Sequence, residues 1–260
     1  MGRIATVCYR AKPGKEGALH ALCARHYARL YATGLVSRRA PVFMIARDGV
    51  VVQVLEWKSQ RAIEEARSHA LVTELRREYQ AVSELVPLAS LPEAAEPLAI
   101  FDAAPFSIDL PPFHKVYNHV QVNERISTSG VVSAEVIEEI ARAGYSGVIN
   151  LLPDASQYAL ADEAARVRAK ALAYHYIPVD FAAPAGDDYA AFERALDCFE
   201  PTQRVYVHCA ANMRVSTFMA IYGVRRMGWS RARAAEHIAE VWEPNEAWRA
   251  FLDAELSSTP

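Results

Sequence analysis

A stretch of ten residues near the middle of the chain limits what the rest can fold into. Ala103-Ala104-Pro105-Phe106-Ser107-Ile108-Asp109-Leu110-Pro111-Pro112 contains three prolines, and no helix or strand period runs through it. The 260 residues are enough for two domains of ordinary size. The chain therefore reads as a domain at 1–102, a linker at 103–112 and a second domain at 113–260. Charge divides at the same place: residues 1–105 hold 14 Lys+Arg against 11 Asp+Glu, whereas 106–260 hold 14 against 20.

Composition excludes several classes. With 52% hydrophobic and 23% charged residues the chain is globular rather than disordered or fibrous. A formal net charge of −3 supplies no global basic field for nucleic acid or an anionic membrane. Every apolar run is broken well short of the roughly 18 residues a membrane span needs. Met1-Gly2-Arg3-Ile4-Ala5 leads straight into a strand-like segment without the apolar core of a signal peptide. Cys8, Cys23, Cys198 and Cys209 form no CxxC pair. The expectation is a cytoplasmic protein with reduced thiols.

The first half alternates strand and helix. Residues 3–9 read as a strand, and a helix follows with Leu19, Leu22, Cys23, His26 and Leu30 on one face. Runs at 41–46 and 50–55 are joined by Arg47-Asp48-Gly49, whose Asp-Gly suits a tight hairpin. Ser59 is a helix cap, and the spacing of Leu71, Leu75, Tyr79 and Val82 predicts one helix reaching Val86. A strand at Leu98–Phe101 then completes β-α-β-β-α-β. This order, with Leu55-Glu56-Trp57-Lys58-Ser59 entering the helix that bears His69, resembles the antibiotic-biosynthesis-monooxygenase-like family over residues 1–102. The resemblance implies a ferredoxin-like domain of the dimeric α+β barrel type, hence a homodimer, with a pocket for a small apolar ligand between sheet and helices. The residues themselves announce no chemistry here. His20 and His26 are six apart and poorly placed to share a metal, and Tyr27, Tyr31 and Trp57 read as core aromatics.

The second half alternates helices and strands: helices near 134–143, 160–173 and 188–198, strands at 147–151, 174–179 and 204–208, then three helical stretches. That pattern predicts an α/β fold with a central, mostly parallel sheet and a crevice at the strands' C-terminal ends. One such end reads Val207-His208-Cys209-Ala210-Ala211-Asn212-Met213-Arg214-Val215-Ser216, a strand, a loop of small residues and a helix start. Loop amides and a helix N-terminus make a nest for an anion, and the same dipoles favour a thiolate at Cys209. From Pro201 to Ala235 there is no acid but six arginines: Arg204, Arg214, Arg225, Arg226, Arg231 and Arg233. A cation in the first turn of a helix opposes the helix dipole by about 0.3–1 kcal/mol, and a bound tetrahedral anion is a good reason for Arg214; the plainer alternative is a buried strand-end thiol at Cys209 and a solvated helix residue at Arg214.

His208-Cys209 through Ser216 resembles the phosphate loop of cysteine-dependent protein tyrosine and dual-specificity phosphatases, HC-x5-R-[ST]. The surrounding chain, with 122–130 and 148–154, resembles their bacterial dual-specificity-like members over about 114–256. The arginine departs from the pattern: counted from Cys209 it should fall on Val215, yet it stands at Arg214. Ser216 holds the hydroxyl position, and Asn212 replaces the usual glycine at a place needing left-handed backbone. One residue on a helix is about 100° of rotation. Either the loop is rebuilt so that Arg214 reaches the phosphate, or the arginine points away. The resemblance implies a phosphocysteine mechanism: Cys209 attacks phosphorus, the amides of Ala210, Ala211, Asn212 and Met213 hold the equatorial oxygens with Arg214, Ser216 eases the departure of sulfur, and His208 orients the loop. Asp180, after Tyr176-Ile177-Pro178-Val179, stands where the family places its general acid; Asp187 and Asp188 compete, Asp187 reading also as a helix N-cap. No metal or cofactor is implied, and the expected partner is a phosphorylated small molecule or a phosphopeptide. Two other readings stay open: a phosphate-binding module that no longer turns over, and a first half acting as a cofactor-free or haem-using monooxygenase regulated by the second.

Overall fold

The computed structural model describes residues 2–257, so residues 1 and 258–260 of the expected domains lie outside the described chain. Two compact units part between Pro112 and Phe113, and each is built on its own five-stranded sheet.

The first unit runs β1 (Arg3–Ala11), α1 (Glu16–Tyr31), β2 (Val42–Ile45), β3 (Val51–Trp57), α2 (Gln60–Glu65), α3 (Ala70–Val82), β4 (Ser83–Val86) and β5 (Asp102–Ala103). Its strands lie in the order β4-β1-β3-β2-β5, every pair antiparallel. The predicted hairpin joins β2 to β3, with Gly49 at φ +79° and Ala46 N donating to Val50 O at 2.9 Å. Leu19, Leu22, Cys23, His26 and Leu30 form the buried face of α1.

Four expectations change here. Ser59 does cap a helix, its Oγ accepting from Ala62 N, but that helix stops after six residues. His69 is extended (φ −69°, ψ 128°) and α3 starts afresh, so that Val72, Leu75 and Tyr79 face inward on a stripe of their own. The end of the predicted helix is strand instead: residues 83–86 pair with the open edge of β1, Cys8 opposite Val86, because an edge backbone needs partners more than these residues need a helix. The run at 98–101 is no strand; Leu98 and Ile100 point outward, and pairing with β2 begins at Asp102. The expected linker is not free chain. Phe106 and Ile108 pack against Tyr9, Leu19 and Phe43, and Asp109 N donates to Ala24 O.

The second unit runs β6 (Val120–Gln121), β7 (Ile126–Ser129), α4 (Ala134–Arg142), β8 (Gly147–Asn150), α5 (Glu163–Ala169), β9 (Ala173–Tyr176), α6 (Gly186–Asp197), β10 (Val205–His208), α7 (Met213–Arg226), α8 (Arg231–Ala239) and α9 (Glu246–Ser257). In the order β6-β7-β10-β8-β9 only β6 is antiparallel; the other four strands run parallel. The central strand β10 is buried on both faces, as an apolar run in a parallel sheet must be. Val205 and Val207 join a core with Phe192, Phe218 and Trp248, while Tyr206 turns to Ile137, Ile140 and Tyr145 on the opposite face. Asn245 Oδ1 accepts from Trp248 N at 3.1 Å, the predicted cap of α9. Asp187 is not a cap: Ala185 occupies that place, and Asp187 and Asp188 both stand in the first turn of α6. The helix predicted at 160–173 is confined to 163–169, because Asp162 and Ala171, at φ +56° and +58°, close it at both ends.

Candidate active site

The C-terminal end of β10 lies at the middle of the parallel sheet, where open α/β sheets place their sites. Cys209 leaves the strand there with its N–H donated to Ser129 O on β7 at 3.3 Å. The loop carbonyls turn toward the protein: Ala210 O accepts from Val131 N at 3.1 Å, and Ala211 O from Asn118 Nδ2 at 3.1 Å. Asn212 takes the left-handed backbone, φ +63°, and its Nδ2 donates to Asn118 O at 2.7 Å and Thr128 Oγ1 at 3.0 Å. Among the described residues no acceptor meets the amides of Ala210, Ala211, Met213 and Arg214. Free amides followed by the N-terminus of α7 are donors of the kind that bind a tetrahedral anion. Cys209 is fully buried.

His208 lies beneath this loop, 1% exposed, its Nε2 paired at 2.8 Å with Oε1 of Glu163. The other Glu163 oxygen accepts from Asn150 Nδ2 at 3.2 Å, and Asn150 Nδ2 also reaches Tyr174 OH. A buried carboxylate, an imidazole and an amide thus lock the ends of β10 and β8 together. Thr128 and Asn150 lie in the segments 122–130 and 148–154 that the sequence singles out, but without a role for either; Glu163 and Asn118 were not visible to sequence reasoning at all. Asn118 meets the loop from 93 residues away and Glu163 meets His208 from 45, and no local spacing betrays such pairs.

Arg214 extends from the first turn of α7 across the loop after β9. Its Nε donates to Val179 O at 2.9 Å, and its guanidinium carbon lies 5.1 Å from the centre of the Phe181 ring. Phe181 O in turn accepts from Trp248 Nε1. Asp180, between these two anchors, is exposed, and its Oδ1 accepts from Ala182 N at 2.9 Å in a local turn. The structure thus sets Arg214 beside the segment that carries Asp180. Burial, and after it the charges of Asp187 and Asp180, push the Asp188 carboxyl above its ordinary range. The Ser216 hydroxyl, one turn into α7, donates to Met213 O at 3.0 Å, the back-bond usual for serine inside a helix.

The arginine-rich segment does not converge on the loop. Arg204 packs over the Tyr145 ring, Arg225 pairs with Glu255, Arg226 with Glu193, Arg231 donates to Leu256 O and Arg233 lies over Trp229. Arg214 bonds to a segment flanking the site. Among the described residues no cluster of His, Cys, Asp and Glu is placed to hold a metal, and no helix is long and apolar enough to cross a membrane.

No family model matches the chain. Two curated relatives, the beta-lactamase hydrolase-like proteins of Xylella fastidiosa strains Temecula1 and 9a5c, are each 34% identical over 105 residues, 39% of this chain. The matched stretch spans 24% of their length, so this chain covers about a quarter of those proteins. Among solved structures, a Shewanella putrefaciens CN-32 protein named "Putative phosphatase (DUF442)" superimposes with a TM-score of 0.51 at 28% identity, covering 56% of this chain and 95% of its own. TpbA of P. aeruginosa aligns at 18% identity and a TM-score of 0.45, over 53% of this chain and 84% of its own. About half of this chain therefore has the fold of the Shewanella DUF442 protein.

Proposed function

We propose that the second unit is a cysteine-dependent phosphomonoesterase that works through a phosphocysteine at Cys209. One observation carries this reading: the loop after β10 turns its carbonyls into the protein, leaving the amides of Ala210, Ala211, Met213 and Arg214 to gather at a helix N-terminus beside a cysteine. In the proposed cycle Cys209 Sγ attacks phosphorus in line with the leaving oxygen. The loop amides hold the equatorial oxygens and gain strength as charge builds there. Arg214, anchored through Nε on Val179 O, offers the two remaining nitrogens of its fork. Asp180 protonates the leaving alkoxide and then takes a proton from the water that frees phosphate from sulfur. Because Cys209 is fully buried, turnover in this reading includes a local opening above Sγ. The substrate class is a small or peptide phosphomonoester, since the acidic balance of residues 106–260 opposes long polyanions.

The first unit supports a second, structural reading. The antiparallel order β4-β1-β3-β2, with α1 and α3 in contact with one another, supports reading it as a ferredoxin-like α+β domain. Ile4 (63% exposed) and Val42 (57%) stand on the sheet face opposite Val7 and Gln53, which favours pairing with a second copy; equilibrium sedimentation of the intact chain tests this.

Phosphate release from an aryl phosphate between pH 5 and 8 tests the enzymatic reading. Cys209→Ser should abolish release, and Arg214→Ala should lower kcat/KM by about a hundredfold or more. Vanadate binding without any release would replace the enzyme with a phosphate-binding module.

A further inference from the structure

Asp180 sits between two fastenings. On one side Val179 O accepts from Arg214 Nε at 2.9 Å. On the other, Phe181 O accepts from the indole Nε1 of Trp248 at 2.9 Å, a contact made across 67 residues of chain. Side chains strengthen the second fastening. The centre of the Phe181 ring lies 5.6 Å from that of Trp248 and 5.7 Å from that of Trp242, with the Arg214 guanidinium carbon 5.1 Å away. Residues 177–185 form neither helix nor strand, so no ladder of backbone bonds holds Asp180 in place. Such segments open cheaply unless something outside them pins them. Trp248 is itself well fixed. It is fully buried on α9, its N–H donates to the capping Asn245 Oδ1, and its ring meets Phe218 of α7 at 6.0 Å and Phe251 at 5.8 Å. A core that needed only an apolar filler here would accept phenylalanine or leucine; an indole brings one donor, and that donor goes to the residue after Asp180.

We propose that Trp248 is a positioning residue for Asp180: its Nε1 bond to Phe181 O, with the stacking of the Phe181 ring, sets where the carboxyl stands when the leaving oxygen needs a proton. The inference rests on the reading of Asp180 as the general acid. In that step Cys209 Sγ bonds to phosphorus as the bond to the leaving oxygen breaks, and the Asp180 carboxyl gives its proton to that oxygen. A general acid acts only within about 2.6–3.2 Å of the atom it protonates, and a displacement of about 1 Å can cost on the order of a hundredfold. The demand for the acid depends on the leaving group. Nitrophenolate is a stable anion and departs with little help, whereas phenolate is more basic and needs the proton as it leaves. Loss of the Trp248 fastening therefore penalises phenyl phosphate and spares nitrophenyl phosphate. A packing defect that merely lowers the folded fraction penalises both alike, so the ratio of the two separates a positioning role from a structural one.

The test measures kcat/KM of the intact chain for p-nitrophenyl phosphate and for phenyl phosphate, since this constant covers the step in which the leaving oxygen departs. Trp248→Phe, which keeps a ring and removes the donor, should raise the nitrophenyl-to-phenyl ratio about three- to tenfold, the span of one hydrogen bond. Asp180→Asn should raise it further, by about tenfold or more. Phe181→Ala, at a half-buried position that tolerates truncation, should move the ratio in the same direction and supplies the answer if Trp248→Phe does not fold. An unchanged ratio in Trp248→Phe, or in Phe181→Ala where only that variant folds, would overturn the inference, while a raised ratio in Asp180→Asn would leave the general acid standing. An unchanged ratio in Asp180→Asn, or no phosphate release by the wild-type chain, would remove the reading of Asp180 and the inference with it.

Discussion

Asn212 does with a side chain what glycine does by lacking one. Its left-handed backbone is tolerated because Nδ2 bonds Asn118 O and Thr128 Oγ1, so the residue that turns the loop also fastens it to β7. Glu163 plays the matching part from below. Glu163→Ala strips the acceptor from His208 Nε2 and Asn150 Nδ2, and leaving such groups unpaired in a dry interior should destabilise the chain by about 3 kcal/mol in urea unfolding. A change within about 0.5 kcal/mol would mean the pair is not structural. His26 provides a pH dependence. Burial, and then Arg29, lower its imidazole from 6.5 to about 4, so as pH falls the unfolded chain takes the proton first. Its stability contribution is complete above about pH 6.5 and is lost progressively toward pH 4, up to about 3 kcal/mol. His26→Gln should therefore flatten the pH dependence of unfolding in that window; equal slopes in wild type and variant would contradict the assignment.

At the scale of elements, the site depends on how closely β7 and β10 deliver their loops. A Cβ on Gly130 would lie 2.8 Å from Ala210 O and 2.8 Å from Tyr117 Cδ1. The backbone oxygen cannot yield cheaply, so Gly130→Ala should displace the loop and lower kcat at least about tenfold while the fold, followed by circular dichroism, persists. Elements of this kind were legible where local pattern decides: the hairpin at 47–49, the stripe of α1, the cap at Asn245, and the strand–loop–helix around Cys209. They were illegible where tertiary demand overrides pattern. Nothing in Ala66–His69 is a helix breaker, yet α2 and α3 separate because each has its own face to bury. Residues 83–86 continue a helical run and become strand because β1 has an open edge. The shifted arginine shows the same limit. Sequence raised the question of where Arg214 points, and only the fold places its Nε on Val179 O, next to Asp180.

At the scale of the molecule, each unit has its own sheet and its own core, so calorimetry of the intact chain should resolve two cooperative transitions. Vanadate at a hundred times its Kd should stabilise the transition of the second unit by about 2.7 kcal/mol and leave the other in place. A single transition moved by vanadate would contradict this division. Charge follows the same division: the acidic second unit carries the proposed chemistry, with Arg214 bonded beside the loop, while the first unit carries more Lys+Arg than Asp+Glu.

The central claim is that Cys209 carries the phosphoryl group in transit, and it can be observed directly. Intact chain mixed with an excess of aryl phosphate, quenched in acid within one turnover and digested, should yield a peptide containing Cys209 heavier by one phosphoryl group. The adduct should be absent from Cys209→Ala and should accumulate in Asp180→Asn, where hydrolysis of the intermediate lacks its base. Phosphate release by the wild-type chain with no such adduct at any quench time, or release that survives Cys209→Ala, would contradict it.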